Sequence, residues 1–241
     1  MLAIYHWNTS GAFEKIPASY FGPTPYYLGC MAAWVTEEVR PALLAALANY
    51  ESEATNSAAV IQISVDETPA KFRLATRQDV PSARASPGPL AVADSDGDGH
   101  LELFVGGRLL PGAYPQAASS KLFRRDGNKL VPDTANNRVL ENAGLVSGAV
   151  WSDLDGGGYP ELVLACEWGP VRVFKNERGR LRESTAEIGL ATFTGWWQGV
   201  TTGDFDEDGR LDILASNWGL NDAYQASAQH PGIQKIQHIF R

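Results

Sequence analysis

Short runs in which every second residue is apolar recur in the second half of the chain and predict β-strands. Leu101, Leu103 and Val105 alternate in this way, as do Leu211 and Ile213. Each run follows a loop rich in Asp and Gly. The segments 122–130 and 173–181 have the pattern of a strand, a turn and a second strand. The predicted unit is therefore strand, acidic loop, strand, variable loop, strand, turn and strand.

Two acidic loops share the pattern Asp-x-Asp-x-Asp-Gly-x-x-Asp/Glu, over residues 94–102 and 204–212. Four carboxylates within nine residues repel one another, which is typical of a site for a hard cation. Calcium suits the pattern best, because it accepts about six to eight oxygen ligands in a flexible geometry. Gly at the sixth position permits the sharp turn that such a loop needs.

The spacing assigns ligands in these two loops. Side chains at the first, third, fifth and ninth positions supply carboxylates, and the main-chain carbonyl at the seventh position adds a further oxygen. The candidates are Asp94, Asp96, Asp98, His100 and Glu102 in the first loop, and Asp204, Asp206, Asp208, Arg210 and Asp212 in the last. Val105 and Ala215 stand where an EF-hand requires Glu, so these loops begin like an EF-hand but continue into a strand.

A third, incomplete copy occupies 153–161, where Gly157 replaces the fifth-position carboxylate. Asp94, Asp153 and Asp204 begin the three loops, so successive loops are 59 and 51 residues apart. This spacing is slightly longer than the repeats of about 40–50 residues that form four-stranded propeller blades. The alternative is that the loops are solvated turns, since Asp and Gly are common turn residues. Recurrence in one strand context favours metal sites.

Residues 86–230 resemble the FG-GAP/VCBS repeat proteins, whose blades are similar to those of the integrin α-subunit propeller. The matching segments are 94–107, 148–168 and 195–221. The resemblance implies an all-β protein made of β-propeller blades, with a calcium ion in the loop between the first two strands of a blade.

The resemblance also extends the ligand set to the middle loop, through Asp153, Asp155 and Glu161. Three residues depart from the family's pattern. Gly157 lacks a carboxylate, and Glu102 and Glu161 stand where Asp is usual. Water or a carbonyl oxygen would then have to complete the middle site.

At this period, 241 residues hold about four blades, and a closed ring needs about four to eight. We therefore expect a partial propeller of about three to four blades, either part of a longer protein or closed by association. The expected divisions are 1–16 as the end of a preceding blade, 17–85 as an insertion or linker, 86–230 as blades, and 231–241 as a tail or truncated blade. A small helical insertion is predicted near the N-terminus, over 36–50, where Thr36 precedes two Glu residues and an Ala/Leu-rich run.

The net charge of −8 is largely explained by the acidic loops. No basic stripe exists to neutralise phosphates, which argues against a nucleic-acid partner. No apolar run reaches the roughly 18 residues of a transmembrane helix, and the start of the sequence lacks the features of a signal peptide. Because calcium is abundant outside the cytoplasm, we expect an extracellular or periplasmic location. Cys30 and Cys166 either form a disulfide or remain two thiols.

No catalytic motif accompanies the acidic loops, and the four His residues are scattered. We expect no catalytic site, and interpret the protein as a calcium-binding scaffold for protein or glycan recognition, as in adhesion. The alternative is a carbohydrate-binding or polysaccharide-active propeller whose catalytic part lies elsewhere. Trp168 and Trp218 are expected to pack between blades. One of Trp196 and Trp197 is expected at the surface, because neighbouring strand residues face opposite sides.

Overall fold

The computed structural model describes residues 4–16, 27–35, 41–48, 60–68, 71–80, 86–127 and 129–218. Over these ranges the protein is mostly β, and its strands form several antiparallel sheets. One short α-helix is present in the described part of the chain. No helix found there combines the length and hydropathy needed to cross a membrane.

The N-terminal hairpin joins β1 (Ile4–Trp7) to β2 (Phe13–Ile16). Its turn is closed by Asn8, whose side-chain oxygen accepts hydrogen bonds from the main-chain N–H groups of Ser10 and Ala12 at 3.1 and 3.0 Å. This segment therefore consists of a strand, a turn and a second strand. Its assignment to a preceding blade stays a prediction.

The next sheet has the order β3-β4-β5-β6, and we call it the first sheet: β3 (Tyr27–Val35), β4 (Pro41–Ala48), β5 (Val60–Thr68) and β6 (Lys71–Val80). The helix predicted over 36–50 is wrong, because Pro41–Ala48 is a strand. Consecutive residues from Leu44 to Leu47 are buried, and β4 pairs with strands on both sides. A run that is apolar on both faces suits a central strand, and this burial overrides the helical propensity of Ala and Leu.

The insertion or linker predicted for 17–85 is thus, where the structure describes it, largely a four-stranded sheet. The remaining parts of the predicted helix, 36–40 and 49–50, lie outside the described residues, as does the predicted tail at 231–241.

The second sheet has the order β10-β9-β8-β7: β7 (Ser86–Ala93), β8 (Glu102–Leu109), β9 (Lys121–Asp126) and β10 (Lys129–Pro132). The helix α1 (Thr134–Val139) follows it. Asp133 caps this helix by accepting hydrogen bonds from the N–H groups of Ala135 and Asn136, both at 3.1 Å.

The third sheet contains the blade β11-β12-β13-β14 and the two strands β15 and β16: β11 (Leu145–Ser152), β12 (Glu161–Pro170), β13 (Arg172–Asn176), β14 (Leu181–Glu183), β15 (Thr194–Gly203) and β16 (Asp212–Asn217). The end of β12 pairs with the start of β15, through Glu167 opposite Trp196 and Pro170 opposite Thr194. The strand–acidic loop–strand order predicted from the sequence is confirmed in all three repeats.

The core lies between successive sheets and, inside the third sheet, between the blade and the strands β15 and β16. Along β12, Leu162 and Leu164 pack with Phe104 of the second sheet, whereas Val163 and Ala165 pack with Trp197 of β15. Alternate residues of one strand therefore fill two different interfaces. Burying each large apolar side chain contributes about 1.5–3 kcal/mol, so this alternation fixes the strands that carry the acidic loops.

The first strands of successive units lie side by side, since β7 contacts β3 and β11, and β11 contacts β15, which begins the last unit of the third sheet. This order brings equivalent strand ends together on each face of the protein. One face carries the acidic loops, and the opposite face carries the starts of β7, β11 and β15.

Two of the tryptophan predictions are wrong. Trp168 and Trp218 do not fill interfaces between blades, since 42% and 46% of their surfaces are exposed. The prediction for the adjacent pair is confirmed in part: Trp197 is buried in the core, and Trp196 is half-buried.

Candidate metal centres

Each acidic loop joins the first two strands of its unit. The loops close on the same antiparallel register, with Ala93 opposite Glu102, Ser152 opposite Glu161 and Gly203 opposite Asp212. Each begins just after the first strand and ends where the ninth-position carboxylate starts the second. The strand pairing therefore places the three loops equivalently.

Carboxylates from the first, third and ninth positions converge in every loop. One oxygen from each lies within 4.8 Å of the others in three groups: Asp94, Asp96 and Glu102; Asp153, Asp155 and Glu161; Asp204, Asp206 and Asp212. The ninth-position residues Glu102, Glu161 and Asp212 are buried, with 1%, 4% and 2% of their surfaces exposed. Three anionic groups at this separation attract a cation.

The first-position Asp organises the turn. In all three loops its Oδ2 accepts a hydrogen bond of 2.9 Å from the main-chain N–H of the sixth-position glycine. These residues, Gly99, Gly158 and Gly209, have φ of 87°, 81° and 84°. A side chain is strained in this region, so the loop requires glycine at that position.

The ninth-position carboxylate is oriented by the second residue of the loop. Glu102, Glu161 and Asp212 each accept a hydrogen bond from that residue's main-chain N–H, at 2.7, 2.9 and 2.9 Å. Burial raises the pKa of Glu102 and Glu161, and the nearby loop aspartates raise it further. Desolvated, mutually repelling carboxylates gain most from a bound cation.

The fifth-position residues stand apart from these groups. Asp98 and Asp208 direct Oδ1 to the main-chain N–H of His100 and Arg210, at 2.8 Å in both loops. Neither belongs to the converging sets of carboxylates. Ligation by Asp98 and Asp208, and by the carbonyl oxygens of His100 and Arg210, stays a prediction.

The third strand of each complete blade adds a cation that the sequence analysis missed. Arg124 of β9 lies 3.2 Å from Asp96, and Lys175 of β13 lies 2.9 Å from Asp155. The two positions are equivalent, because each follows a Phe that pairs with the residue after the ninth-position Glu. The repeated dipeptides Phe-Arg and Phe-Lys were the signal for this pair.

The residues present fit a hard divalent cation. All converging donors are carboxylate oxygens, which calcium prefers. In the middle loop, Asp153 Oδ1 is buried and has no hydrogen-bond partner among the described residues. A buried carboxylate oxygen without a donor is costly unless a cation is nearby. The middle loop therefore remains a candidate site despite Gly157.

Asn176 connects two of the loops. Its side-chain amide nitrogen donates to the main-chain oxygen of Ser95 at 2.8 Å and to that of Pro160 at 2.9 Å. Its side-chain oxygen accepts from the N–H of Gly179 at 2.7 Å. The hairpin after β13 thereby holds its own acidic loop and the loop of the second sheet in a fixed relation.

Comparisons with known proteins agree with this geometry in one segment. Residues 153–215 match the family model described as an FG-GAP-like repeat. A solved structure of BBS1N in complex with ARL6DN, soaked with lead, is similar over 89% of this chain and 68% of that chain, at 12% identity and a TM-score of 0.40. No curated protein matches the sequence significantly.

Proposed function

Since residues 153–215 are an FG-GAP-like repeat, we propose that the protein is a calcium-binding β-propeller scaffold for the recognition of a protein or glycan. One observation carries the proposal. Three loops at equivalent places bring first-, third- and ninth-position carboxylates within 4.8 Å of one another. Chance turns rich in Asp and Gly would not repeat this convergence at the same strand register.

Calcium would be held by the three converging carboxylates of each loop, together with main-chain or water oxygens. The ion supplies positive charge that offsets the repulsion among these groups. The protein's own residues do the positioning. The sixth-position glycine sets the turn, and the second-position N–H holds the ninth-position carboxylate.

The role we propose for the metal is structural. Each loop fixes the start of a buried second strand, such as Glu102–Leu109, so a closed loop keeps that strand in register. An ion that binds only the folded loop stabilises the fold by about 2.7 kcal/mol when its concentration is 100 times its Kd. We propose that such a scaffold works where calcium is abundant, in an extracellular or periplasmic compartment.

Recognition would then use surfaces displayed by rigid sheets, as is common for loop-bearing scaffolds. We propose no catalytic role, because the conspicuous acidic residues are accounted for by metal binding. Surfaces away from the metal loops would determine which partner the protein recognises.

Calorimetric calcium titration and thermal unfolding test the calcium function. We expect calcium to raise the Tm of the chelator-treated protein. The substitution Asp206→Asn should weaken one site by about tenfold or more, since it removes one of three converging charges. The matched control is Glu141→Gln, which removes an exposed carboxylate outside the loops and should leave binding unchanged.

Two results would contradict the proposal. One is the absence of binding heat together with a Tm that neither calcium nor chelator changes. The other is an equal response of Asp206→Asn and Glu141→Gln, which would mean that calcium acts through general charge and not through the loops.

A further inference from the structure

The face opposite the acidic loops contains a cavity of about 730 Å³. Its wall includes Ser86 at the start of β7, Arg108 near the end of β8, Glu167 near the end of β12 and Trp196 near the start of β15. The acidic loops follow the other ends of β7, β11 and β15. The cavity is therefore distinct from the candidate metal centres, and its volume is typical of small-molecule sites, about 300–1,000 Å³.

Four aromatic residues, which we call the aromatic cluster, gather on this face: Tyr114, Trp196 and Trp218 line the cavity, and Trp168 packs against Trp196 beside it. Trp196 is the central member, with its ring centroid 4.7 Å from that of Trp168 and 4.5 Å from that of Trp218. The indole N–H of Trp168 donates a hydrogen bond of 2.7 Å to the hydroxyl of Tyr114. These contacts hold the rings in fixed relative positions.

The outer members of the aromatic cluster remain accessible. Tyr114, Trp168 and Trp218 expose between 42% and 46% of their surfaces. Large aromatic side chains usually bury their rings in a core, where they contribute most to stability. Tyr114 and Trp218 in the cavity wall, with Trp168 beside it, form an exposed apolar surface of the kind that marks a binding site.

Backbone geometry keeps Trp168 in this exposed position. Its φ is 59°, in the left-handed region that bulky residues rarely adopt, and it lies at a bulge where Glu167 pairs with Trp196 and Gly169 with Gly195. Such strain costs about 1–3 kcal/mol and is concentrated at functional sites. The bulge changes the direction of one side chain relative to a regular strand, and here that side chain is Trp168.

Polar groups accompany the rings. The Arg108 guanidinium lies 2.5 Å from the buried Glu167 carboxylate, and 44% of the arginine side chain remains exposed. Gln198 is exposed in the same wall. The buried indole nitrogen of Trp196 has no hydrogen-bond partner among the described residues. The cavity thus offers donors and acceptors beside flat apolar rings.

A second cavity of about 310 Å³ adjoins the first, since Glu167 lines both. Trp168 belongs to its wall. The aromatic cluster therefore serves two adjoining spaces, which suits an extended ligand with more than one ring.

We propose that the aromatic cluster binds a neutral oligosaccharide. The inference rests on the proposed recognition function and assigns it a surface and a ligand class. A pyranose ring has an apolar face of C–H groups, which packs on an indole, and an edge of hydroxyls, which hydrogen-bond to Arg, Glu and Gln. The Arg108–Glu167 pair has no net charge, so the wall does not select a charged sugar.

A protein partner fits the surface less well. Stable protein interfaces bury about 800 Å² on each partner and have an extensive apolar centre. The accessible rings here surround a concave space and are interrupted by Arg108, Glu167 and Gln198. Alternation of rings and polar groups within one cavity matches a sugar chain better than a flat protein surface.

The test uses the calcium-saturated full chain and a panel of cellopentaose, xylopentaose, mannopentaose and chitopentaose, followed by tryptophan fluorescence and calorimetry. At least one saccharide should bind at concentrations up to about 10 mM, where even a Kd of about 1 mM gives nearly full occupancy. Trp168→Ala and Trp218→Ala should each weaken binding about tenfold or more. The matched control is Trp7→Ala, which removes an exposed tryptophan of the N-terminal hairpin and should leave binding unchanged.

The outcomes separate this proposal from the calcium proposal. Folding of Trp168→Ala and Trp218→Ala is verified by their calcium-dependent Tm, which the substitutions should not alter. Binding of no saccharide in the panel, or equal binding by the cavity variants and Trp7→Ala, would overturn the oligosaccharide site and leave the calcium sites standing. Capture of a protein at these tryptophans without saccharide binding would likewise overturn it.

Discussion

Lys175 places its ammonium nitrogen 2.9 Å from the carboxylate of Asp155, in contact with the acidic loop that lacks a fifth-position carboxylate. The side-chain hydrogen bond from Lys175 is the largest cause that lowers the pKa of Asp155. The middle loop therefore has fewer carboxylates than its neighbours and an internal cation that competes for one of them. We expect it to be the weakest of the three candidate calcium sites.

The substitution Lys175→Met should strengthen calcium binding at the middle loop. It removes the competing ammonium, and an exposed ion pair of this kind contributes little because solvent screens it, so the Kd should fall by up to about fivefold. Calorimetry in a background of Asp94→Ala and Asp204→Ala isolates this loop. Lys129→Met, which removes an exposed lysine of β10, is the control with equal net charge. A weaker middle site in Lys175→Met would contradict the competition.

The substitution Gly179→Ala should disturb the first acidic loop from the neighbouring sheet. A Cβ at Gly179 would lie 2.5 Å from the Cβ of Asp96, and φ at this glycine is 84°. Gly189 has a similar φ of 81° but no atom within 4 Å of an added Cβ. Both substitutions should cost about 1–3 kcal/mol through backbone strain, and Gly179→Ala about 1–3 kcal/mol more through the clash.

Urea unfolding measures the two losses of stability, and calorimetry measures calcium binding. Only Gly179→Ala should also weaken binding at the first loop, because only there does the new methyl group displace Asp96. Equal calcium affinity in the two glycine variants would show that the hairpin does not support this loop.

Asp133 should stabilise the fold in a pH-dependent way. Burial raises the pKa of Asp133, but hydrogen bonds from Asn136 and Arg124 outweigh it and lower the pKa below the ordinary value of 3.8. Because the pKa of Asp133 is lower in the folded state than in the unfolded state, its ionised form stabilises the fold. This contribution to the free energy of unfolding is complete above about pH 4 and is lost as the pH falls through the folded pKa.

Comparison of Asp133→Asn with the wild type tests this prediction. Asn keeps a side-chain oxygen that can cap the helix but loses the negative charge that pairs with Arg124, so the variant should be less stable at pH 7. The difference in unfolding free energy should shrink below pH 3.8. A difference that stays constant over this range would contradict the assigned pKa.

Cys166 should be unreactive in the folded protein. Burial raises the pKa of its thiol to about 12, and its Sγ donates to the main-chain oxygen of Ala143 at 3.2 Å. In a Cys30→Ser background, a disulfide reagent at pH 8 should modify this thiol only after unfolding, since the thiolate is the reactive form. Fast modification of the native protein would show that the core around β12 opens readily.

Local chemistry explains why the acidic loops were predictable from the sequence. The sixth-position glycines and the spacing of the carboxylates act within nine residues, so no distant contact is needed to bring Asp94 and Glu102 together. The basic residues that contact the loops were harder to find. Arg124 and Lys175 reach the loops from the third strand, and only the sheet register shows that their positions are equivalent.

The errors arose where tertiary contacts decide the outcome. Pro41–Ala48 has a composition that favours a helix, but pairing with β3 and β5 buries it as a strand. Trp168 has the residue type of a core position, but a bulge and a positive φ place it at the surface. Neither the pairing nor the bulge leaves a pattern in the immediate sequence.

The side-chain amide of Asn176 gives two candidate ion sites a common support. Asn176 donates hydrogen bonds to Ser95 in the loop of the second sheet and to Pro160 in the loop of the third. It can keep both hydrogen bonds only while the two sheets stay packed together. Release of an ion from one loop would loosen that anchor for the other, so occupancy of the two loops should be positively cooperative. Where the calcium concentration varies, the packing of the second sheet against the third would then strengthen or weaken at both loops together.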